Sequence, residues 1–433
     1  MAITRALTHA ARAVKAGGSA SSSRGFSVLT AAEEFPGVPA ISPAPKKGSL
    51  SSVTTLPSGL TIVTETASLT STIALTYPHA GSSNESPSEA GASLANRYLA
   101  FKSGSGLSSA LIIRNLEDVG ATLFASAGRR GSTLGFTAAR DHAAFVAPLL
   151  STISSFEKWD VKEAQSLAAS EVEEASSNAQ VSLTDQIYAA AYGAQSSMGR
   201  SYYTAGASRS SIMSFRERTY TLNGAVLAAT GVSDHEAFVR MVEEEFPSST
   251  VEATAAPAVV TSSYLGGEAR LSAPSTGYTH VALAFEGPTS SPVMNVLKHC
   301  LTMSGVSAFA SPGIMGVYGG CVPGDASATL DGLTKAVVSA PTDAIVAKAK
   351  AVAKAEALRT LDAGSKSLAD AMTASILDSC GFSAKALADS YDAVSSVDVS
   401  NAYSAMVKSK LSLAAVGDIS NVPYHATIAS RFG

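Results

Sequence analysis

The chain has 433 residues, 46% hydrophobic and 15% charged, with a formal net charge of −4. The apolar content excludes wholesale disorder, and the length suits roughly two to three domains. A near-neutral charge balance leaves no electrostatic footprint for nucleic acid. The low charge content, against about 25% in an average soluble domain, suits burial against partners, or else reflects a genomic bias toward Ala and Ser.

A membrane-spanning helix needs about 18 or more consecutive apolar residues. The most apolar runs, Val281 to Phe285 and Ala255 to Val260, are soon broken by Ser, Thr, Glu or Gly, so any membrane association is expected to be peripheral. Cys300, Cys321 and Cys380 are odd in number and far apart. They match neither a disulfide framework nor a Cys-x-x-Cys metal site, which points to a reducing compartment.

At the N-terminus, residues 1–32 contain Arg5, Arg12, Lys15 and Arg24 and no acid before Glu33. As a helix, Ile3 to Val14 places Ile3, Leu7, Ala10, Ala11 and Val14 on one face and Arg5 and Arg12 on another. Such a basic amphipathic helix is what a mitochondrial import receptor reads. Arg24-Gly25-Phe26-Ser27 is similar to the arginine-containing cleavage site of matrix-targeted precursors, with the cut after Phe26. Residues 1–26 are therefore expected to be a transit peptide.

Beyond a Pro- and Ser-containing entry from Pro36 to Ser52, Leu56-Pro57-Ser58-Gly59-Leu60 reads as a turn into the strand Thr61 to Thr64. A second strand is predicted at Ser71 to Tyr77, followed by the turn Ala80-Gly81-Ser82-Ser83 and helices over Glu89 to Phe101 and Ser108 to Val119. Ala121 to Ala125 and Ser132 to Ala138, joined across Gly128-Arg129-Arg130-Gly131, form a predicted β-hairpin. Helical patterns follow over Arg140 to Phe156 and Val161 to Ala179, then a strand at Gly224 to Thr230 and a helix from Asp234 to Phe246.

Residues 247–266 lack a helical period and carry few charges, as an interdomain linker does. After them the order begins again, with a strand at Tyr278 to Phe285, Gly287-Pro288, and a helix from Pro292 to Met303. A similar strand closes each half: Ala225-Val226-Leu227-Ala228-Ala229-Thr230-Gly231 in the first, Leu411-Ser412-Leu413-Ala414-Ala415-Val416-Gly417 in the second. The expected architecture is α+β, with homologous halves over 47–246 and 267–433, each a mixed, mainly antiparallel sheet packed by helices.

These residues also carry a family resemblance. Leu56-Pro57-Ser58-Gly59-Leu60, then Ala80-Gly81-Ser82 with Glu85 and Gly91, then Ala100-Phe101-Lys102, resemble the opening of the pitrilysin-type zinc peptidases. Mitochondrial processing peptidase subunits and the core proteins of respiratory complex III belong to that family. Leu111 to Val119 with Gly120-Ala121-Thr122, the hairpin to Arg140-Asp141-His142, and the closing Gly417-Asp418 extend the similarity from about residue 50 to 433. The motifs are weak singly and strong in this order, and they imply a metallopeptidase-like version of the two-half fold.

Active members carry His-x-x-Glu-His on a helix, where two His four residues apart reach one Zn²⁺ and the Glu activates its water. Counting from Gly81 and back from Phe101 puts that pentad on Leu94-Ala95-Asn96-Arg97-Tyr98. Both ligand positions are non-ligands, and a cation replaces the base. Glu171, Glu173 and Glu174 lie where the resemblance implies a distal ligand; from the residues alone they read as a solvated helix face. Independently of the alignment, His9, His79, His142, His235, His280, His299 and His425 are all more than five residues apart, so no helix presents a His pair. The expectation is a chain with no catalytic, metal or cofactor site.

Within the family, the stretch Ser304 to Gly320 decides between non-catalytic branches. The processing peptidase α-subunit has a glycine-rich loop there; here the glycines are interrupted, and Ser307-Ala308-Phe309 followed by Gly313-Ile314-Met315-Gly316-Val317-Tyr318 is more similar to the core protein 2 branch of complex III. Ala347 to Thr360, a helix with Lys348, Lys350, Lys354 and Arg359, fits the same branch. From the residues alone, the stretch is a loop leading to a strand. The resemblance implies a structural subunit, peripheral on the matrix side of the inner membrane. Its partners would be core protein 1, cytochrome b, cytochrome c1 and the iron–sulfur protein of a dimeric complex. Presequence binding for an active partner is the alternative.

Smaller signals read as structure. Gly104-Ser105-Gly106 is a turn, and Gly364-Ser365-Lys366-Ser367 lacks the Gly-Lys-Ser/Thr order of a phosphate loop. Asp141 is an expected helix N-cap, Cys300 and Cys321 small buried or half-buried thiols, Glu243 to Glu245 a solvated helix end, and Trp159 a packing residue at a helix start, with an interface anchor as the other reading.

Overall fold

A computed structural model describes residues 51–432 apart from 104–106, 141–157, 247–261, 274–276, 289, 312 and 379–381. The transit-peptide reading with Arg24, Phe26 and Ser27 lies outside the described residues. So do the helix expected after Arg140 with its Asp141 cap, the Gly104 turn and Cys380.

Two sheets carry the architecture. The first contains β1 (Ser52–Thr55), β2 (Thr61–Thr64), β3 (Thr70–Tyr77), β4 (Thr122–Ala127), β5 (Ser132–Ala139) and β6 (Val226–Ala229), in the order β1-β2-β6-β3-β5-β4. The second contains β7 (Gly267–Ser272), β8 (Thr279–Glu286), β9 (Ser307–Ser311), β10 (Ile314–Cys321) and β11 (Ser412–Gly417), in the order β7-β11-β8-β10-β9. β2 runs parallel to β6 and β7 parallel to β11; the remaining pairs are antiparallel. Apart from β1, the second sheet repeats the first strand for strand, in order and in the sense of every pairing.

The repeat reaches single residues. Gly135 in β5 lies between Ala74 of β3 and Phe124 of β4, and Gly316 in β10 lies between Ala284 of β8 and Phe309 of β9. A Cβ on either glycine would stand 2.8 Å from the Cζ of its phenylalanine. The missing side chain makes room for an aromatic ring laid across the neighbouring strand.

In chain order the helices are α1 (Ala92–Tyr98), α2 (Ser109–Asp118), α3 (Lys158–Ser177), α4 (Ala179–Tyr192), α5 (Arg209–Thr219), α6 (His235–Glu245), α7 (Ser291–Met303), α8 (Ala326–Val338), α9 (Asp343–Asp362), α10 (Ser365–Leu377), α11 (Ala384–Ala393), α12 (Ser396–Lys408) and α13 (His425–Ala429). One face of each sheet forms its own core: Ile62, Ile73, Leu75, Phe136 and Leu227 in the first, Leu283, Phe285, Val317 and Leu413 in the second. The other faces are covered reciprocally. Helix α4 lays Leu183, Ile187 and Ala191 on Ala282, Ala284 and Ala414 of the second sheet. Helix α10 lays Ala369 and Met372 on Val63, Ala74, Val226 and Ala228 of the first. Small residues on those strands let a helix approach closely, and burial of apolar area at about 25 cal/mol per Å² holds it there.

Several elements differ from expectation. The helix predicted from Glu89 begins at Ala92, because Pro87–Glu89 form a separate 3₁₀ turn and Gly91 adopts φ 84°. The helix predicted over Val161 to Ala179 ends at Ser177. Asn178 Oδ1 then accepts from the N–H groups of Gln180 and Val181 and starts α4, which was not anticipated. Strands β1 and β7 were also missed; the latter begins directly after residues 262–266, where Leu265 and Gly266 donate to the carbonyl of Ala191. Ser304 to Gly320 contains the β9–β10 hairpin rather than a loop leading to one strand. Trp159 is 75% exposed and does not serve as a packing residue. Cys300 is buried and Cys321 half-buried, as expected.

Candidate functional site

The start of α1 is set by a buried acid. Glu85, 5% exposed, accepts from the N–H groups of Gly91 at 3.0 Å and Ser93 at 2.7 Å, while Ser93 Oγ donates to the carbonyl of Ala80 at 3.1 Å. Arg200 Nη1 donates to the Glu85 carbonyl at 3.0 Å. Burial outweighs the two amide bonds and the Arg200 charge, and pushes the Glu85 carboxyl up to about 7.

The helix that follows carries Leu94-Ala95-Asn96-Arg97-Tyr98, the residues on which the pentad is expected to fall. Leu94 is fully buried against Ala168 and Tyr202, and Ala95 against Val161, Ala164 and Phe215. Asn96 donates from Nδ2 to the carbonyls of Ala92 at 2.9 Å and Ile212 at 3.3 Å. Arg97 and Tyr98 remain partly open and converge on α3. The Arg97 guanidinium forms an ion pair with Glu171, and Tyr98 Oη donates to the same carboxylate oxygen at 2.8 Å. The guanidinium lies 4.6 Å from the Tyr98 ring centroid.

The structure thus brings together Arg97, Tyr98 and Glu171, and leaves Glu173 and Glu174 exposed on the outer face of α3. The solvated-face reading holds for those two and is corrected for Glu171. Tyr202 was not singled out from sequence. Its hydroxyl is buried with no hydrogen-bond partner among the described residues, and burial raises its phenol above the usual range. No local pattern marked it, since it lies in an irregular segment between α4 and α5.

These residues do not fit a divalent cation. Leu94 offers no donor atom, Tyr98 spends its proton on Glu171 with burial holding the phenol protonated, and Arg97 already neutralises the carboxylate a metal would need. A guanidinium is also never a general base. Among the described residues no group of three or more His, Cys, Asp or Glu is arranged to hold a metal ion.

The interrupted glycine stretch is anchored. Tyr192 Oη of α4 donates to the carbonyl of Gly313 at 3.1 Å, and Tyr188 Oη to Ser311 Oγ at 2.8 Å. On the facing side, Arg129 pairs with Asp185, donates from Nε to the carbonyl of Met198 at 3.2 Å and covers the Tyr188 ring at 4.2 Å. A cavity of about 800 Å³ lies between these parts, lined among others by His79, Arg130, Tyr192, Tyr264 and Glu286. Burial lowers the His79 imidazole.

Comparison with known proteins gives this geometry a context. Residues 61–204 match the family described as insulinase, peptidase family M16. The mitochondrial-processing peptidase subunit alpha of Solanum tuberosum is 25% identical over an alignment covering 88% of this chain and 84% of that protein. The cytochrome b-c1 complex subunit 1 of Mus musculus is 26% identical, covering 54% of this chain and 51% of that one. Among solved structures, a chain of complex III2 from Candida albicans, bound to Inz-5, superposes with a TM-score of 0.73 at 18% identity, covering 88% of this chain and 99% of that chain. That likeness is one of fold.

Proposed function

We propose, from the match of residues 61–204 to peptidase family M16, that the chain is a non-catalytic structural subunit of mitochondrial ubiquinol–cytochrome c reductase, of the core protein 2 type. The observation that supports the non-catalytic part is the Arg97–Glu171 pair joined by Tyr98, at the residues to which the sequence resemblance assigns the zinc-binding pentad and distal glutamate of active members. The role left to such a chain is architectural: pairing with core protein 1 on the matrix side, peripheral to the inner membrane, beside cytochrome b, cytochrome c1 and the iron–sulfur protein. The basic segment 1–26 is its import address under this reading. The anchored β9–β10 hairpin favours it, since a loop that handles substrate needs freedom to move.

A second reading, the non-catalytic α-subunit of the processing peptidase, is favoured by the Solanum tuberosum relative, which aligns with far more of the chain than the Mus musculus protein does. One pair of subunits could serve both roles. Native electrophoresis of mildly solubilised mitochondrial membranes, with mass spectrometry of the band containing this chain, separates them. Co-migration with cytochrome b and quinol oxidation is the expected result; a soluble heterodimer that cleaves presequences would overturn the structural-subunit reading.

A further inference from the structure

Strand β7 holds the place in the second sheet that β2 holds in the first, each pairing in parallel with its closing strand. On its other side β2 is shielded by β1, antiparallel, from Ser52 opposite Thr64 to Thr55 opposite Thr61. Among the described residues β7 has no neighbour there. Gly267 donates its N–H to Leu411 and Ala273 donates to Gly417, so the alternate residues Glu268, Arg270 and Ser272 turn their N–H groups away from β11. None of those three amides has a backbone partner among the described residues. The opposite edges, β4 and β9, match between the halves, so β7 is where the repeat breaks.

Burial shows the consequence. Val63 of β2 is fully buried, whereas Ala269, in the equivalent register opposite β11, is only half-buried and the next residue on that face, Leu271, is 38% exposed. Leu265, which precedes the strand, is also exposed. On the other face Glu268 and Arg270 neutralise each other, and Arg270 Nη1 and Nη2 donate to the carbonyls of Val422 and Pro423 at 3.1 and 2.7 Å. A charge-balanced edge with outward amides and exposed leucines is a template for strand addition.

We propose that β7 accepts an extended strand donated by another subunit of the assembly, antiparallel to β7 as β1 is to β2. Its side chains on the Leu271 face are apolar, and those beside the Glu268–Arg270 pair are uncharged. The inference rests on the reading of this chain as a subunit of an assembly.

Hydrogen exchange at Glu268, Arg270 and Ser272 is compared between the isolated full chain and the native complex, alongside the variants Ser272→Pro and Ser272→Ala. Proline at 272 removes an outward N–H and leaves the β7–β11 ladder intact. The three amides should exchange freely in the isolated chain and slow by about tenfold or more in the complex. Ser272→Pro should melt like wild type yet enter the complex about tenfold less than Ser272→Ala. Three outcomes overturn the proposal: amides already protected in the isolated chain, meaning that a segment of this chain covers the edge; amides equally fast in the complex; or Ser272→Pro entering it as readily as Ser272→Ala. A wild-type chain that joins no complex overturns both readings, whereas one that joins with β7 unprotected overturns only this one.

Discussion

Arg97 on α1 and Glu171 on α3, 74 residues apart in the chain, share one ion pair, each with a side chain only 20% exposed. Removing Arg97 strands the carboxylate without its cation in a half-dry seam. Arg97→Met should lower unfolding free energy by about 1–3 kcal/mol. Arg97→Met/Glu171→Gln, which leaves Tyr98 an acceptor, should recover most of that in urea titrations. An Arg97→Met chain as stable as wild type would show that the pair holds nothing together.

The same seam is convertible. Leu94→His, Arg97→Glu and Tyr98→His together would place two imidazoles four residues apart on α1 and release Glu171 to act as third ligand. The triple variant should bind one Zn²⁺ per chain by elemental analysis, and adding Glu171→Ala should weaken that binding. Stoichiometric zinc on the wild-type chain would contradict the geometry described above.

Glu85 makes stability depend on pH. Its carboxyl titrates near 7 in the fold and near 4.5 when exposed, so the unfolded chain releases this proton first. Stability from this group is therefore full below about pH 4.5, falls as pH rises toward 7, and is level above, a drop on the order of 3 kcal/mol. Denaturant titrations from pH 5 to 8 should show the slope in wild type and its loss in Glu85→Gln.

The matched glycines give a paired test. In Gly135→Ala the new methyl meets the Phe124 ring and the Ile73 carbonyl; in Gly316→Ala it meets the Phe309 ring and the Leu283 carbonyl. Overpacking of this kind costs about 1–3 kcal/mol, and differential scanning calorimetry should find both variants less stable by similar amounts. One variant melting as wild type would end the equivalence of the two sites.

Much of the fold was legible where a long element is buried on one face or both. β3, β8 and the closing strands announce themselves as apolar runs, and the order of elements shows the duplication. β1 and β7 were illegible because they are short, sit at sheet edges and are half-exposed, so Ser, Thr and Gly serve there as well as Val would. The break at Asn178 depends on one side chain capping the next helix, while the composition on either side stays helical. At the site, it could be read from the sequence that Leu94 offers no donor atom and that Arg97 brings a cation. Which of three glutamates meets Arg97 could not, because that is decided by how α1 lies on α3.

Helices α4 and α10 each close the sheet of the opposite half, and this sets the order in which the molecule can become complete. The first sheet is finished when β6 has emerged, yet Val63, Ala74, Val226 and Ala228 stay bare until α10 arrives from far along the chain. A nascent chain therefore passes through a stage with one greasy sheet face and one unemployed helix, a natural grip for a chaperone. A chain cut between its halves would yield two fragments, neither of which carries its own lid, each soluble only in the company of the other.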